Sequence, residues 1–144
     1  MIFADTNILL RSVDTSGERY SIVENALAKL RGRAETLCIA PQNVIEFWSV
    51  ATRPAGDNGL GMPSSRAAAE ITALLKLFSL LPYREEVLET WQRLVVTHGV
   101  SGKQAHDAHI VAMMQVHSVT AILTFNGDHF KRYSGITVLA PEKV

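Results

Sequence analysis

Met1-Ile2-Phe3-Ala4-Asp5-Thr6-Asn7-Ile8-Leu9-Leu10 is the stretch on which the fold turns. A short apolar run ends in an acid, two polar residues follow, and the chain then returns to apolar residues. Met1 to Asp5 predicts a short strand that delivers its last residue to the edge of a sheet. Asp, Thr and Asn all cap helices well, so one reading of Asp5 is a cap on a following helix. A carboxylate between two apolar runs is costly to bury without a partner, so the other reading is a group placed there for chemistry.

Working outward, the pattern of a short apolar run followed by a helical spacing recurs. Ser21 to Leu30 places Ile22, Val23, Ala26, Leu27 and Leu30 at helical intervals, and Arg31-Gly32-Arg33 ends that helix. Thr36 to Ala40 predicts a second strand, and Pro41 suits the first turn of a helix running to about Arg53. Pro54 and Gly56 to Pro63 form a loop. Ser64 to Lys76 predicts a helix with Ser64 or Ser65 as its cap, and Leu77 to Leu81 a third strand. Helices follow over Glu85 to His98 and Lys103 to His117. Val119 to Thr124 predicts a strand, Asp128 to Arg132 one short helical turn, and Ile136 to Leu139 a last strand. Strands alternating with helices mean an α/β domain around a mostly parallel sheet covered on both faces. Residues 1–144 form one domain on this reading, since no repeat, linker or low-complexity tract interrupts them.

Composition narrows the function. Of the 144 residues, 47% are hydrophobic and 19% charged, enough apolar material for a packed core rather than a disordered chain. Lys and Arg number 14, as do Asp and Glu, so the formal net charge is zero. That excludes a protein held on nucleic acid by bulk charge, though not an enzyme with a local basic groove. The single cysteine, Cys38, permits neither an intrachain disulfide nor a cysteine-based metal site and reads as a buried small hydrophobe. No basic leader opens the chain, and no apolar run approaches the roughly 20 residues of a membrane span, so a cytoplasmic protein is expected.

Ligands of open α/β sheets bind beyond the carboxyl ends of the strands. Four acids fall near such ends. Asp5 follows the first strand. Glu46 lies in Asn43-Val44-Ile45-Glu46-Phe47-Trp48, a lone acid among apolar neighbours that shares a helical stripe with Asn43, Val50 and Arg53. A salt bridge to Arg53 would have to reach across seven positions. Asp107 opens its helix, where the helix dipole alone favours an acid, but Val111 and Met114 share its face and turn it inward. His106 and His109 flank it, a spacing that departs from the His pair of zinc helices. Asp128 follows the strand ending at Thr124, in Thr124-Phe125-Asn126-Gly127-Asp128-His129-Phe130, with Asn126 nearer the strand end. Asp128 can also serve as a simple helix cap. Carboxylates gathered in one pocket raise one another's pKa unless a cation is present, and oxygen-only ligands favour Mg²⁺ or Mn²⁺ over zinc.

Phe3-Ala4-Asp5-Thr6-Asn7-Ile8-Leu9-Leu10, Asn43-Val44-Ile45-Glu46-Phe47-Trp48, His106-Asp107-Ala108 and Leu123-Thr124-Phe125-Asn126-Gly127-Asp128-His129-Phe130, in this order, resemble the PIN domain family and, within it, the VapC toxins of prokaryotic toxin–antitoxin pairs. Ala51-Thr52-Arg53-Pro54, Asn58-Gly59-Leu60-Gly61 and Gly102-Lys103-Gln104-Ala105-His106-Asp107-Ala108 resemble one VapC subgroup. The resemblance implies a five-stranded parallel sheet flanked by helices and an endoribonuclease that uses Mg²⁺ or Mn²⁺. It implies that Asp5, Glu46 and Asp107 hold the metal and that Thr6 stands beside the first acid. Asp128, with Asn126, is the available fourth position. His129 occupies a place that is often acidic, a departure that bears on a second ion rather than the first. It further implies a small VapB-like antitoxin and a homodimer. Trp48, Phe47 and the Ala67 to Leu81 stretch serve as core or as interface.

The RNA backbone would lie against Arg11, Arg53 and Lys103, which otherwise read as solvated surface charges. Base choice would act on splayed single strands. A haloacid-dehalogenase-type phosphatase needs a second Asp two residues after the first, where this chain has Asn7. A receiver-type signalling domain needs its key Asp on a later strand. The remaining alternative is a PIN-type RNA- or protein-binding module without activity, against which the retained acids argue.

Overall fold

The computed structural model describes residues 1–144. Five short strands form one parallel sheet: β1 (Ile2–Ala4), β2 (Leu37–Ile39), β3 (Ser79–Leu80), β4 (Ala121–Leu123) and β5 (Thr137–Leu139). Their order across the sheet is β3-β2-β1-β4-β5. The chain starts in the middle strand, builds outward to β3, then crosses to the other side of β1 for β4 and β5. The carboxyl ends of β1 and β4 therefore lie where the strand order reverses, the place at which an open α/β sheet leaves a crevice.

Side chains alternate across the sheet, and that alternation divides the core. Ile2, Ala4, Leu37, Ile39 and Leu123 pack into one cluster with Ile8, Leu9, Val23, Leu27, Phe47 and Leu74. Phe3, Cys38 and Ile122 point the other way, into a second cluster with Val87, Ile110, Met113, Met114 and Phe130. Six helices supply these layers: α1 (Thr6–Val13), α2 (Tyr20–Gly32), α3 (Pro41–Thr52), α4 (Ser64–Leu77), α5 (Glu86–Thr97) and α6 (Gln104–Val116). A sheet buried on both faces explains why its strands read as unbroken apolar runs. Truncating a side chain as fully enclosed as Phe3 or Phe47 costs about 3–5 kcal/mol.

The expected elements are present, with shifts at their ends. Pro41 opens α3 at its first position, where a missing N–H is harmless. The third strand shrinks from Leu77–Leu81 to Ser79–Leu80, because α4 continues through Leu77. Neither Ser64 nor Ser65 caps α4: Pro63 holds the capping position, and no side chain bonds there. The turn expected over Asp128 to Arg132 is a single 3-10 turn at Gly127–His129. Cys38 is fully buried, and burial pushes its thiol up to about 11. No helix is long and apolar enough to cross a membrane. Of the Ala67 to Leu81 stretch, Ala67, Leu74, Phe78 and Leu81 are core, while Leu75 and Leu77 of α4 and Leu80 of β3 are exposed. In α3, Phe47 is core and Trp48 stays partly exposed.

Candidate active site

Asp5 leaves β1 directly and caps α1, its Oδ1 accepting the Thr6 N–H at 2.7 Å. The cap reading holds, and it uses only one carboxylate oxygen. The other, Oδ2, accepts from the Thr124 hydroxyl at 2.6 Å and from Asn7 Nδ2 at 2.9 Å. Asn7 Nδ2 also donates to Thr124 Oγ1 at 3.1 Å, and that oxygen accepts the Asn126 N–H at 3.0 Å. The loop after β4 is thereby tied to the start of α1. Asp5 is buried, as is Thr124.

Glu46 faces the same edge from α3. Thr6 donates its hydroxyl to Glu46 Oε2 at 2.6 Å and accepts from Asn43 Nδ2 at 3.1 Å. Asn43, fully buried, accepts the Ala40 N–H at 2.8 Å and so locks the start of α3. The second Glu46 oxygen accepts from Gln42 Nε2 at 2.7 Å, one helical turn away. Glu46 therefore finds partners in Thr6 and Gln42, and the distant Arg53 is not needed to explain it.

Asp107 lies in the first turn of α6, above the buried Val111 and Met114, as their shared face predicts. Trp91 on α5 fixes the start of that helix by donating its indole N–H to the Ala105 carbonyl at 2.9 Å. Asp107 Oδ2 sits 3.2 Å from His129 Nδ1. His109 does not pair with His106 as a metal clamp. Its Nδ1 lies 2.6 Å from Gln42 Oε1, and Gln42 Nε2 reaches the His106 carbonyl at 3.0 Å. α3 and α6 are stitched together by this one amide.

The remaining candidates are not drawn in. The Asp128 side chain is 83% exposed and paired with Lys131, so the structure does not bring it to the other three acids. Its loop turns it outward, and the lysine holds it below the usual carboxylate range. Asn126 reaches the site through its backbone N–H. Arg11 pairs with Asp14 at 3.5 Å, Arg53 is exposed at the end of α3, and Lys103 is exposed at the start of α6. Sequence reasoning did not single out Thr124, Gln42 or Asn43 as site residues. The available signal was a hydroxyl at the end of β4 and amides in the first turn of α3.

Asp5 and Asp107 are both raised, chiefly by burial. Burial pushes Asp5 above its ordinary range against the hydrogen bonds from Thr124 and Thr6, and Asp107 and Glu46 add repulsion. Burial also raises Asp107, with His129 opposing and Glu46 adding to the rise. His109 is lowered by burial and by His106, with Glu46 pulling the other way. No three His, Cys, Asp or Glu side chains converge tightly enough to form a ready-made ion site. The donor set nevertheless fits a hard divalent cation: it is all carboxylate oxygen, partly desolvated and mutually repelling, and positive charge relieves that repulsion.

Comparison with known proteins bears on the family and the fold. A family profile described as PIN domain matches residues 2–136. The fold is similar to that of VapBC2 from Rickettsia felis bound to a promoter DNA fragment, with 15% identity over 97% of this chain and 98% of that one and a TM-score of 0.72. A toxin–antitoxin complex from Klebsiella pneumoniae is 20% identical over all of both chains, with a TM-score of 0.64. VapC20 of Mycobacterium tuberculosis, described as a Sarcin-Ricin loop cleaving toxin, is 16% identical over 92% of this chain and 95% of that one, with a TM-score of 0.69. No curated protein sequence matches at a significant level.

Proposed function

The chain belongs to the PIN domain family, and from that premise we propose that it is a metal-dependent endoribonuclease acting as the toxin of a VapBC-type toxin–antitoxin pair. The observation that carries this reading is that Asp5, Glu46 and Asp107, from three separate elements, lie near enough to one another for their charges to repel. Hydrolysis of an RNA phosphodiester breaks one P–O bond and adds water across it. Asp5, Glu46 and Asp107 would hold the cation. When bound, Mg²⁺ or Mn²⁺ supplies a Lewis acid for the phosphate and a source of hydroxide at neutral pH.

The chain's own residues fix the acids for that task. Thr6 presents its hydroxyl to Glu46 and its backbone N–H to Asp5, so one residue orients two carboxylates. Thr124 and Asn7 hold the remaining Asp5 oxygen. Gln42 holds the remaining Glu46 oxygen. Such supporting donors keep carboxylates in register for a metal. Asp128 stands outside this network. Arg11, Arg53 and Lys103 are the proposed cations for the RNA backbone.

A VapB-like antitoxin and a homodimer complete the proposal. The Klebsiella pneumoniae neighbour is itself a toxin–antitoxin complex, which supports the first of these. The test is incubation of purified protein with single-stranded RNA in Mg²⁺, in Mn²⁺ and in EDTA, beside Asp5→Asn and Asp107→Asn. Cleavage by the wild type alone, and only with metal, is expected. RNA left equally intact by all three proteins means a binding module rather than a nuclease.

A further inference from the structure

Beside Asp5 and Asp107 lies a hollow of about 560 Å³ whose wall includes Gln42, Glu46 and His109 of the acids' network. Ala40, Gln42, Ile45, Tyr83 and His109 help to line it, and Glu46 forms its border with the acid cluster. Ile45 is 70% exposed and Tyr83 53%, so two large apolar side chains stand open at its rim. The rings of Tyr83 and His109 are near parallel, 14° apart in plane with centroids 6.0 Å apart.

The His109 ring and the backbone that carries Tyr83 are each held in place. His109 is held by Gln42, which in turn grips Glu46. Tyr83 follows Pro82, whose carbonyl meets His117 Nε2 at 2.8 Å and ties this loop to the end of α6. No lysine or arginine lines the hollow, and one carboxylate does. A phosphate is therefore unwelcome there, whereas a flat, uncharged heteroaromatic ring fits. A strand with its phosphate at the acids has an adjoining base within reach of this wall, because Glu46 borders both spaces.

We propose that the hollow between Tyr83, Ile45 and His109 is a nucleobase subsite, which stacks one unstacked base of an RNA strand whose phosphate lies at Asp5, Glu46 and Asp107. This rests on the ribonuclease reading above. Proteins that bind single strands use exposed aromatic faces in this way, and stacking tolerates any base while favouring purines with their larger ring face.

The probe is a single-stranded oligoribonucleotide carrying 2-aminopurine at one position at a time, bound to the protein with intact acids in Ca²⁺, a hard divalent cation that takes carboxylate ligands, in place of Mg²⁺ or Mn²⁺. Quenching at one position is expected, kept by Tyr83→Phe and lost in Tyr83→Leu. In the otherwise wild-type protein, Tyr83→Leu should raise KM about 5- to 100-fold, with kcat changed far less. Thermal melting of the Tyr83 variants checks that this exposed position leaves folding alone. Equal quenching at every position, or a wild-type KM in Tyr83→Leu, overturns the subsite and leaves the hollow to a protein partner. No cleavage by the wild type sinks the ribonuclease reading, while the quench, measured on a protein that need not cleave, still decides the subsite.

Discussion

Thr124 donates its hydroxyl to Asp5 Oδ2 at 2.6 Å, although 119 positions separate them. The contact exists because β1 and β4 are parallel neighbours, with Ala4 opposite Leu123, so the residues that follow each strand emerge side by side. The Asp5 N–H donates to the Leu123 carbonyl at 3.0 Å and extends that ladder into the site.

Thr124→Val keeps the shape and removes the donor. A buried carboxylate that loses a hydrogen-bond donor costs about 1–3 kcal/mol, and the Asn126 N–H loses its acceptor as well. Urea unfolding at neutral pH should show that loss, and Thr124→Ser should restore most of it. Equal midpoints for valine and wild type would mean that the contact carries no stability.

Thr6→Val separates orientation from charge, since all three acids stay in place. Removing a residue that orients a metal-holding carboxylate typically lowers metal affinity or activity by about 10- to 100-fold. Calorimetric titration with Mn²⁺ and the RNA cleavage rate should both fall, with Thr6→Ser close to wild type. Unchanged Mn²⁺ binding in the valine variant would remove Thr6 from the site.

Asp128→Asn should leave RNA cleavage at the wild-type rate, because its exposed carboxylate answers to Lys131 rather than to the three acids. Asp107→Asn in the same assay should abolish it. A cleavage rate for Asp128→Asn as low as that of Asp107→Asn would show that the loop turns inward when RNA or metal binds.

Asp5 and Asp107 both have folded-state pKa values above the ordinary 3.8. Between that value and their raised ones, the folded protein binds more protons than the unfolded chain. Stability contributed by these groups is therefore greatest at low pH and is lost as pH rises through the window. In EDTA, the difference in unfolding free energy between wild type and Asp107→Asn should move against the wild type as pH rises from about 4 toward neutrality. Added Mn²⁺ should then raise the wild-type melting temperature in a concentration-dependent way, and not that of Asp5→Asn. A flat difference curve in EDTA would mean that Asp107 is not strained.

Much of this architecture is local and was legible along the chain. Ile2, Phe3 and Ala4 alternate between two core clusters, and a short apolar run of that kind reads as a buried strand from its residues alone. Pro41 opens α3 because its fixed backbone angle suits a first turn wherever the rest of the protein lies. Asp5 and Glu46 stood out because each interrupts an apolar pattern, and Asp107 because it shares a helix face with Val111 and Met114; the cost of burying a charge makes such placements informative. Their supporting residues gave no comparable signal. A hydroxyl at Thr124 or an amide at Gln42 is as compatible with solvent as with a buried carboxylate. Asp128 shows the converse: it is two residues from Asn126, yet the turn at Gly127–His129 directs it to Lys131 instead of the site. The sequence by itself determined most of the elements, the doubly covered sheet and the identity of the suspect acids, since these depend on sterics and apolar periodicity between near neighbours, while α1 was legible only as one reading of Asp5. Only the tertiary structure decided which acids share an environment and what holds them, because strand order and register bring together groups as far apart as Asp5 and Thr124, and no local propensity encodes that distance.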